Sequence, residues 1–279
     1  MSISDTLAAA EADRELKKRH RAMWAFGDYP RLVEQIVHPL GAEVVLLAGV
    51  GSGDVVLDVA AGTGNAAVPA ARLGARVTAS DLTPELLTAG RAAAHDLAID
   101  WVEADAEQLP FDAAGFDVVL SSIGVMFAPH HRAAASELLR VCRIDGTIGL
   151  SSWTPEGFVG RLFATMKPFA PAPPPGAEPP PAWGSPAHLD ELFGARVETL
   201  RQERRMLPVT LFHEPEEFRD YFKQHYGPSI AVYRTLADDP VATTALDDAL
   251  TALAREHALP GAEFALEWEY LVTVMRRVA

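Results

Sequence analysis

The chain has 279 residues, 49% of them hydrophobic, enough to bury a sizeable core in one domain or in a domain plus a cap. Its formal net charge of −14 and isoelectric point near 5.0 repel phosphate backbones and anionic bilayers, which argues against nucleic-acid and membrane partners. One cysteine, Cys142, excludes an internal disulfide and any Cys-rich metal site. With no apolar run of transmembrane length and no basic-then-apolar leader, the sequence predicts a cytoplasmic protein.

Ser4 to Met23 reads as a helix. Its acids come early and its bases late, which suits the helix dipole, and Leu7, Ala10, Leu16 and Met23 are its expected buried positions. Trp24, Phe26 and Tyr29 around Gly27 form an aromatic loop, and Pro30 can open the next helix. Arg31 to Leu40 and Ala42 to Ala48 read as two further helices. Val55–Val59 is a short apolar strand, Gly62-Thr63-Gly64 a tight turn, and Asn65 to Leu73 a helix closed by Gly74. Arg76–Ser80 is a second strand ending at Asp81. Thr83 caps a helix that opens at Pro84 and runs to about His95. Strands follow at Ile99–Glu103, Phe116–Ser121 and Thr147–Ser152, with a helix over His130–Cys142 in which Cys142 is a small core residue. Strands alternating with helices imply a doubly wound parallel sheet, whose ligands bind at the carboxyl ends of the strands. Asp58, Asp81, Asp105 and Ser121 all fall there.

The second half is less regular. Residues 168–186 hold nine of the 21 prolines and read as a stiff, extended flap near the cleft, followed by a helix over Pro186–Phe193. Val197–Thr210 and Phe264–Met275 read as strands. Between them lie an amphipathic helix at Pro215–His225 and another at Thr243–His257.

Two ligands suit the first β–turn–α–β unit. Gly62, Gly64 and Ala67 match G-x-G-x-x-A, and Asp81 follows Gly62 by 19 positions, as in a dinucleotide fingerprint. Asp58 beside the turn would repel a pyrophosphate, whereas S-adenosylmethionine offers an ammonium and a sulfonium, with ribose hydroxyls for Asp81.

With these motifs in place, the chain resembles class I S-adenosylmethionine-dependent methyltransferases, in the branch similar to the ubiquinone/menaquinone C-methyltransferases. VLDVAAGTGN resembles the first family motif, with Ala60 where a glycine is common. ASDLTPELL resembles the second, EADAEQLPF the third and FDVVLSSIGVMF the fourth. ELLRVCRIDGTIGL resembles a further segment, with Ile144-Asp145 in place of Pro-Gly. The resemblance spans Trp24 to Trp153. It implies an α/β fold with a mostly parallel seven-stranded sheet, and a helical cap inserted between the last two strands. It divides the chain into N-terminal helices with a cofactor-covering loop (1–50), a cofactor-binding core (51–165), a proline-rich flap, helix and sixth strand (166–213), a helical cap (214–260) and a last strand (261–279). The implied cofactor is S-adenosyl-L-methionine. Its expected binding residues are Tyr29, Asp58, Ala60, Gly62, Gly64, Asn65, Asp81, Leu82, Asp105, Ala106 and Ser121. Asp81 would hold the ribose, and Asp105, with the neighbouring backbone, the adenine.

Methyl transfer from a sulfonium is an in-line displacement in which positioning and exclusion of water supply much of the rate. Where an acceptor needs deprotonation, His130 and His213 are the candidate bases; either His130 or His131 can instead open the following helix. Trp24, Met126, Phe127, Trp153, His225 and Tyr226 are the expected acceptor walls. No Asp-Asp-Asn cluster is evident over residues 121–155, so no metal is expected. The expected partner is a small-molecule acceptor, aromatic or heterocyclic, with secondary metabolism as its expected setting; a homodimer is among the expected states. The competing functions are an NAD-dependent oxidoreductase and a non-methylating cyclase or binding protein of the same fold.

Overall fold

The computed structural model describes residues 3–174, 176–261 and 263–278, with side chains described from residue 11 onward. The expected burial of Leu7 and Ala10, and the place of Pro175 in the proline-rich run, lie outside the described residues.

Seven strands form one sheet in the order β3-β2-β1-β4-β5-β7-β6. They are β1 (Val55–Val59), β2 (Arg76–Asp81), β3 (Ile99–Glu103), β4 (Phe116–Ser122), β5 (Cys142–Trp153), β6 (Val197–Val209) and β7 (Leu266–Arg277). β1 to β5 pair in parallel, and β7 runs antiparallel between β5 and β6. β1 is the central apolar strand, with Val56, Leu57 and Val59 fully buried. The strand order reverses between β1 and β4, and open α/β sheets bind ligands at such a switch point.

The N-terminal part comprises α1 (Ile3–Trp24), a short helix α2 (Tyr29–Leu32) and α3 (His38–Leu47), the last two joined by a π-turn over Val33–Val37. The two helices expected over residues 31–48 are thus one continuous helical path with a wide turn in it. Pro39 lacks the N–H that an α-turn would offer to Gln35, which accounts for the change of register. The path presses onto the first Gly-rich turn: a Cβ on Gly41 would stand 1.9 Å from the Asn65 carbonyl oxygen.

α4 (Ala67–Arg72), α5 (Pro84–Ala93) and α6 (His131–Val141) connect the parallel strands. Cys142 is fully buried as expected, but it begins β5 rather than ending α6. Asp145 takes a positive φ of 60° and is followed by Gly146, and the β4–β5 register shifts between Phe116 and Val118. The strand therefore starts early and carries an irregularity that its sequence does not announce.

After β5 come α7 (Phe158–Met166) and α8 (Pro186–Phe193), with the proline-rich segment between them. That segment is not a free flap along its whole length. Residues 180–184 form a 3-10 turn in which Trp183 is 1% exposed, and a Cβ on Gly184 would stand 2.2 Å from the Trp153 carbonyl oxygen. Burying an indole outweighs the cost of ordering a chain that its prolines already restrict. Three helices separate β6 from β7: α9 (Pro215–His225), α10 (Gly227–Thr235) and α11 (Pro240–Glu256). Their inner faces join the main core through Phe218, Phe222, Leu246 and Leu250. No described helix is long and apolar enough to cross a membrane.

Candidate active site

The loop after β1 is built on left-handed residues: Ala60 (φ 54°), Gly62 (57°) and Gly64 (91°). Ala60 occupies a conformation that costs an L-residue about 1–2 kcal/mol, which explains why glycine suits that place. At Gly64 a Cβ would stand 2.7 Å from the Trp101 ring. Gly64 thus serves close packing under the loop and is absent from the cavity wall.

Asp58 is also not in that wall. It is 1% exposed, and its Oδ2 accepts from the Ala67 amide at 2.8 Å, supplying the cap that Ala66 lacks at the start of α4. The expectation that Asp58 faces the ligand is corrected here: the free N–H at the helix start draws the carboxylate beneath the turn. Burial, with a smaller contribution from Asp81, pushes its pKa up to about 7. In the unfolded chain the group ionises near its ordinary value of 3.8. Between these limits the folded state binds more protons, so this group makes stability fall as pH rises from about 4 to about 7 and adds no slope above that. We expect Asp58→Asn to gain on the wild type by several degrees in Tm between pH 5 and pH 8. A Tm difference independent of pH would contradict this.

Asp81 closes β2 and lines the cavity. Its Oδ2 accepts from the Gly62 amide and its Oδ1 from the Thr83 amide, both at 2.8 Å. The carboxylate therefore ties two loops together while each oxygen keeps a lone pair for a further donor. Burial raises its pKa.

A cavity of about 800 Å³, counting its open mouth, lies over these strand ends. Of the residues expected to bind the cofactor, Tyr29, Ala60, Gly62, Asn65, Asp81, Leu82, Asp105 and Ala106 line it, together with Trp24 and Phe127. Ser121 does not. Its hydroxyl, 1% exposed, donates to the Val59 carbonyl at 2.7 Å and accepts from the Val125 amide at 2.8 Å, while Ser122 faces the cavity. Sequence reasoning also missed Lys17 and His20 on α1 and the Ile123-Gly124 pair after β4. Lys17, His20 and Trp24 are spaced i, i+3, i+7, the signature of one helix face. Lys17 pairs with Asp105 at 3.0 Å and Glu107 at 2.5 Å, and Arg21 with Glu103 at 2.7 Å, so α1 closes over the end of β3. Burial lowers the His20 pKa, keeping its ring neutral.

Ile123 is a β-branched residue at φ 56°, an uncommon strain that clusters at functional sites. With Tyr29 and Phe127 it also lines a second, narrow apolar cavity of about 310 Å³, counting the space open to solvent. Trp153, Tyr226, Phe222, Trp268 and Val159 line this annex too, with Leu32 and Val37. The Trp24 ring stands edge-on to Tyr29 (5.2 Å), Phe127 (4.6 Å) and Tyr226 (6.0 Å). Met126 is fully buried and lines neither cavity. His225 lines neither; its carbonyl accepts from the Asp28 amide at 3.3 Å and anchors the aromatic loop.

The two candidate bases stand elsewhere. His130 holds the N-cap position of α6; its amide donates to Glu107 at 2.7 Å, and its Nδ1 lies 2.8 Å from the same carboxylate. His213 is exposed and its amide is bound by Glu217. Neither lines a cavity. The ionisable groups of the annex wall are the hydroxyls of Tyr29 and Tyr226, and burial pushes both pKa values up, so they remain hydrogen-bond donors.

Such a sheet, with an acid at the tip of its second strand and a Gly-rich turn at its switch point, defines a nucleoside-binding α/β enzyme of the methyltransferase type. Comparison with known proteins agrees. Residues 57–150 match the family profile described as "Methyltransferase domain". An uncharacterised protein of Mycobacterium tuberculosis is 50% identical over 260 residues, 92% of this chain and 94% of that one. The demethylmenaquinone methyltransferase of Clavibacter sepedonicus is 38% identical over 125 residues, 43% of this chain and 51% of its own length. Among solved structures, a Bacillus halodurans protein assigned to the methyltransferases superposes with a TM-score of 0.56 at 20% identity, over 86% of this chain and 99% of that one. The core of the chain is a methyltransferase domain of the class I S-adenosylmethionine-dependent type, similar to the menaquinone branch. This displaces the oxidoreductase reading.

The cavity suits the cofactor. Asp81 turns lone pairs toward the space where ribose hydroxyls would lie, and the Gly62 turn lets backbone approach closely. Bound S-adenosylmethionine supplies an electrophilic methyl group on a sulfonium. Asp81 would hold the ribose, Asp105 and Ala106 the adenine, and the Trp24 and Tyr29 rings would exclude water from the reacting end.

Proposed function

We propose that the chain methylates a small aromatic or heterocyclic metabolite seated in the apolar annex. The observation that supports this reading is the shared wall of Tyr29, Ile123 and Phe127, which sets the annex directly beside the cofactor cavity. The annex is narrow, which excludes a polymer, and its side chains would spread to admit a ring. Its aromatic lining favours a flat, neutral or cationic ring. With tyrosines as the ionisable groups of its wall, the annex suits a nucleophile that already carries a lone pair or arrives ionised. The core, residues 51–165, would hold the cofactor, and the helices of residues 214–260 would cover the acceptor. A quinone-like ring is compatible with the relative from Clavibacter sepedonicus, and a secondary metabolite is equally so.

The test uses S-adenosylmethionine carrying a labelled methyl group and a small-molecule extract. Label is expected in an organic-soluble product, with one S-adenosylhomocysteine formed per methyl transferred. A companion variant isolates the annex. Val159 lines the annex and not the cofactor cavity. Val159→Phe is expected to reduce turnover at least tenfold while S-adenosylhomocysteine affinity stays within twofold. Unchanged turnover in a folded variant would place the acceptor elsewhere.

A further inference from the structure

Away from both cavities, three ligand-type side chains converge where the proline-rich segment meets α6. His131, the first residue of α6, is fully buried. Its Nδ1 lies 2.9 Å from His188 Nε2 on α8. Glu178, from the proline-rich segment, sets Oε2 3.9 Å from that His131 nitrogen and 3.8 Å from that His188 nitrogen. We propose that His131, Glu178 and His188 form a zinc site that staples the proline-rich segment to the start of α6.

The spacing fits the ion. Tetrahedral zinc with nitrogen and oxygen ligands at about 2.0–2.2 Å sets them roughly 3.3–3.5 Å apart, so each separation here needs a change of only about half an ångström. Without an ion the contacts are poor. At most one proton bridges the two imidazoles, and the carboxylate stands beyond hydrogen-bond range of both. Two imidazoles and one carboxylate suit zinc, whereas magnesium and calcium call for more oxygen ligands. Glu191, one turn along α8, sets Oε2 3.9 Å from His188 Nδ1, and closing by about half an ångström would let it orient the ring as a carboxylate behind a ligating histidine does. The three proposed ligands lie outside the cavity walls, so the ion's role is structural, with water completing the tetrahedron. The staple nonetheless touches the active site through the backbone. The Glu178 amide donates to the Pro129 carbonyl at 3.0 Å, and Ala128 and Pro129 form the rim of the cofactor cavity.

The sequence does not announce this site, because its three ligands come from separate segments and match no short metal motif. The test is a titration of tag-free, chelator-treated full-length protein with zinc alone, followed by calorimetry and thermal melting, and with cobalt followed by visible absorption. One zinc per chain is expected, with micromolar or tighter affinity, a higher Tm, and the intense visible bands of tetrahedral cobalt. Glu178→Gln and His188→Gln, at partly exposed positions, are expected to fold and to weaken zinc binding at least tenfold. Asp13, Glu107 and His130 form a second acidic and histidine cluster nearby, so His130→Gln serves as the control and should leave zinc affinity within twofold. Absence of stoichiometric binding would overturn the proposal, and so would binding that survives His188→Gln or is lost in His130→Gln.

Discussion

Asp81→Ala is expected to weaken S-adenosylhomocysteine binding at least tenfold and also to lower Tm. Two charge-assisted bonds from ribose hydroxyls contribute about 1.5–3 kcal/mol each, and about 1.4 kcal/mol is a factor of ten. The stability effect follows from the other partners of the same carboxylate. It accepts from the Gly62 and Thr83 amides at 2.8 Å, and truncation leaves both N–H groups without an acceptor in a buried place. Each such orphan costs about 1–3 kcal/mol, offset in part because a buried charge is removed as well. Capping of the next helix and ribose binding are therefore two duties of one side chain. Calorimetry well below the variant's Tm separates them: affinity within twofold of wild type in folded protein would remove Asp81 from the cofactor site.

Gly124→Ala is expected to be of comparable severity for a steric reason. The backbone of Gly124 has negative φ, so conformational freedom is not what the position needs. Space is. A Cβ would stand 2.2 Å from the Ala60 carbonyl oxygen and 2.9 Å from the Ala60 Cβ. Neither loop can yield cheaply, since Ala60 is already left-handed and Ile123, adjacent to Gly124, is too. Overpacking of this kind costs about 1–3 kcal/mol, and here it separates two loops that face the cofactor across one cavity. Cofactor affinity should fall at least tenfold and Tm by several degrees. Gly115→Ala, whose Cβ would meet nothing closer than 3.4 Å, serves as the near-neutral control. Equal affinities for the two variants would show that the loops move independently.

Much of the cofactor-binding part was legible because its signals are local. The strand–Gly turn–helix–strand unit, the acid ending β2 and the Asp105-Ala106 pair are set by a few adjacent residues each, and the sheet brings their ends together without long-range choices. What escaped the sequence depends on contacts between distant segments. Asp58 carries the same motif position in either orientation, and only the uncapped start of α4 decides that it turns inward. Ser121 and Ser122 alternate across β4, so an error of one residue exchanges a buried hydroxyl for a cavity-facing one. Lys17 and His20 belong to a charged helix whose solvent face and cavity face differ little in composition. Trp183 lies in a run of prolines that reads as surface, and its burial depends on Gly184 meeting the end of β5.

The sulfur of the bound cofactor is expected beside the wall that the two cavities share. A crystal structure with S-adenosylhomocysteine bound tests it most directly. Ribose hydroxyls are expected on the Asp81 carboxylate, and the sulfur beside Tyr29, Ile123 and Phe127, facing the annex walled by Trp153 and Tyr226. A sulfur pointing to the open mouth, with the annex closed off from it, would overturn this placement of the acceptor.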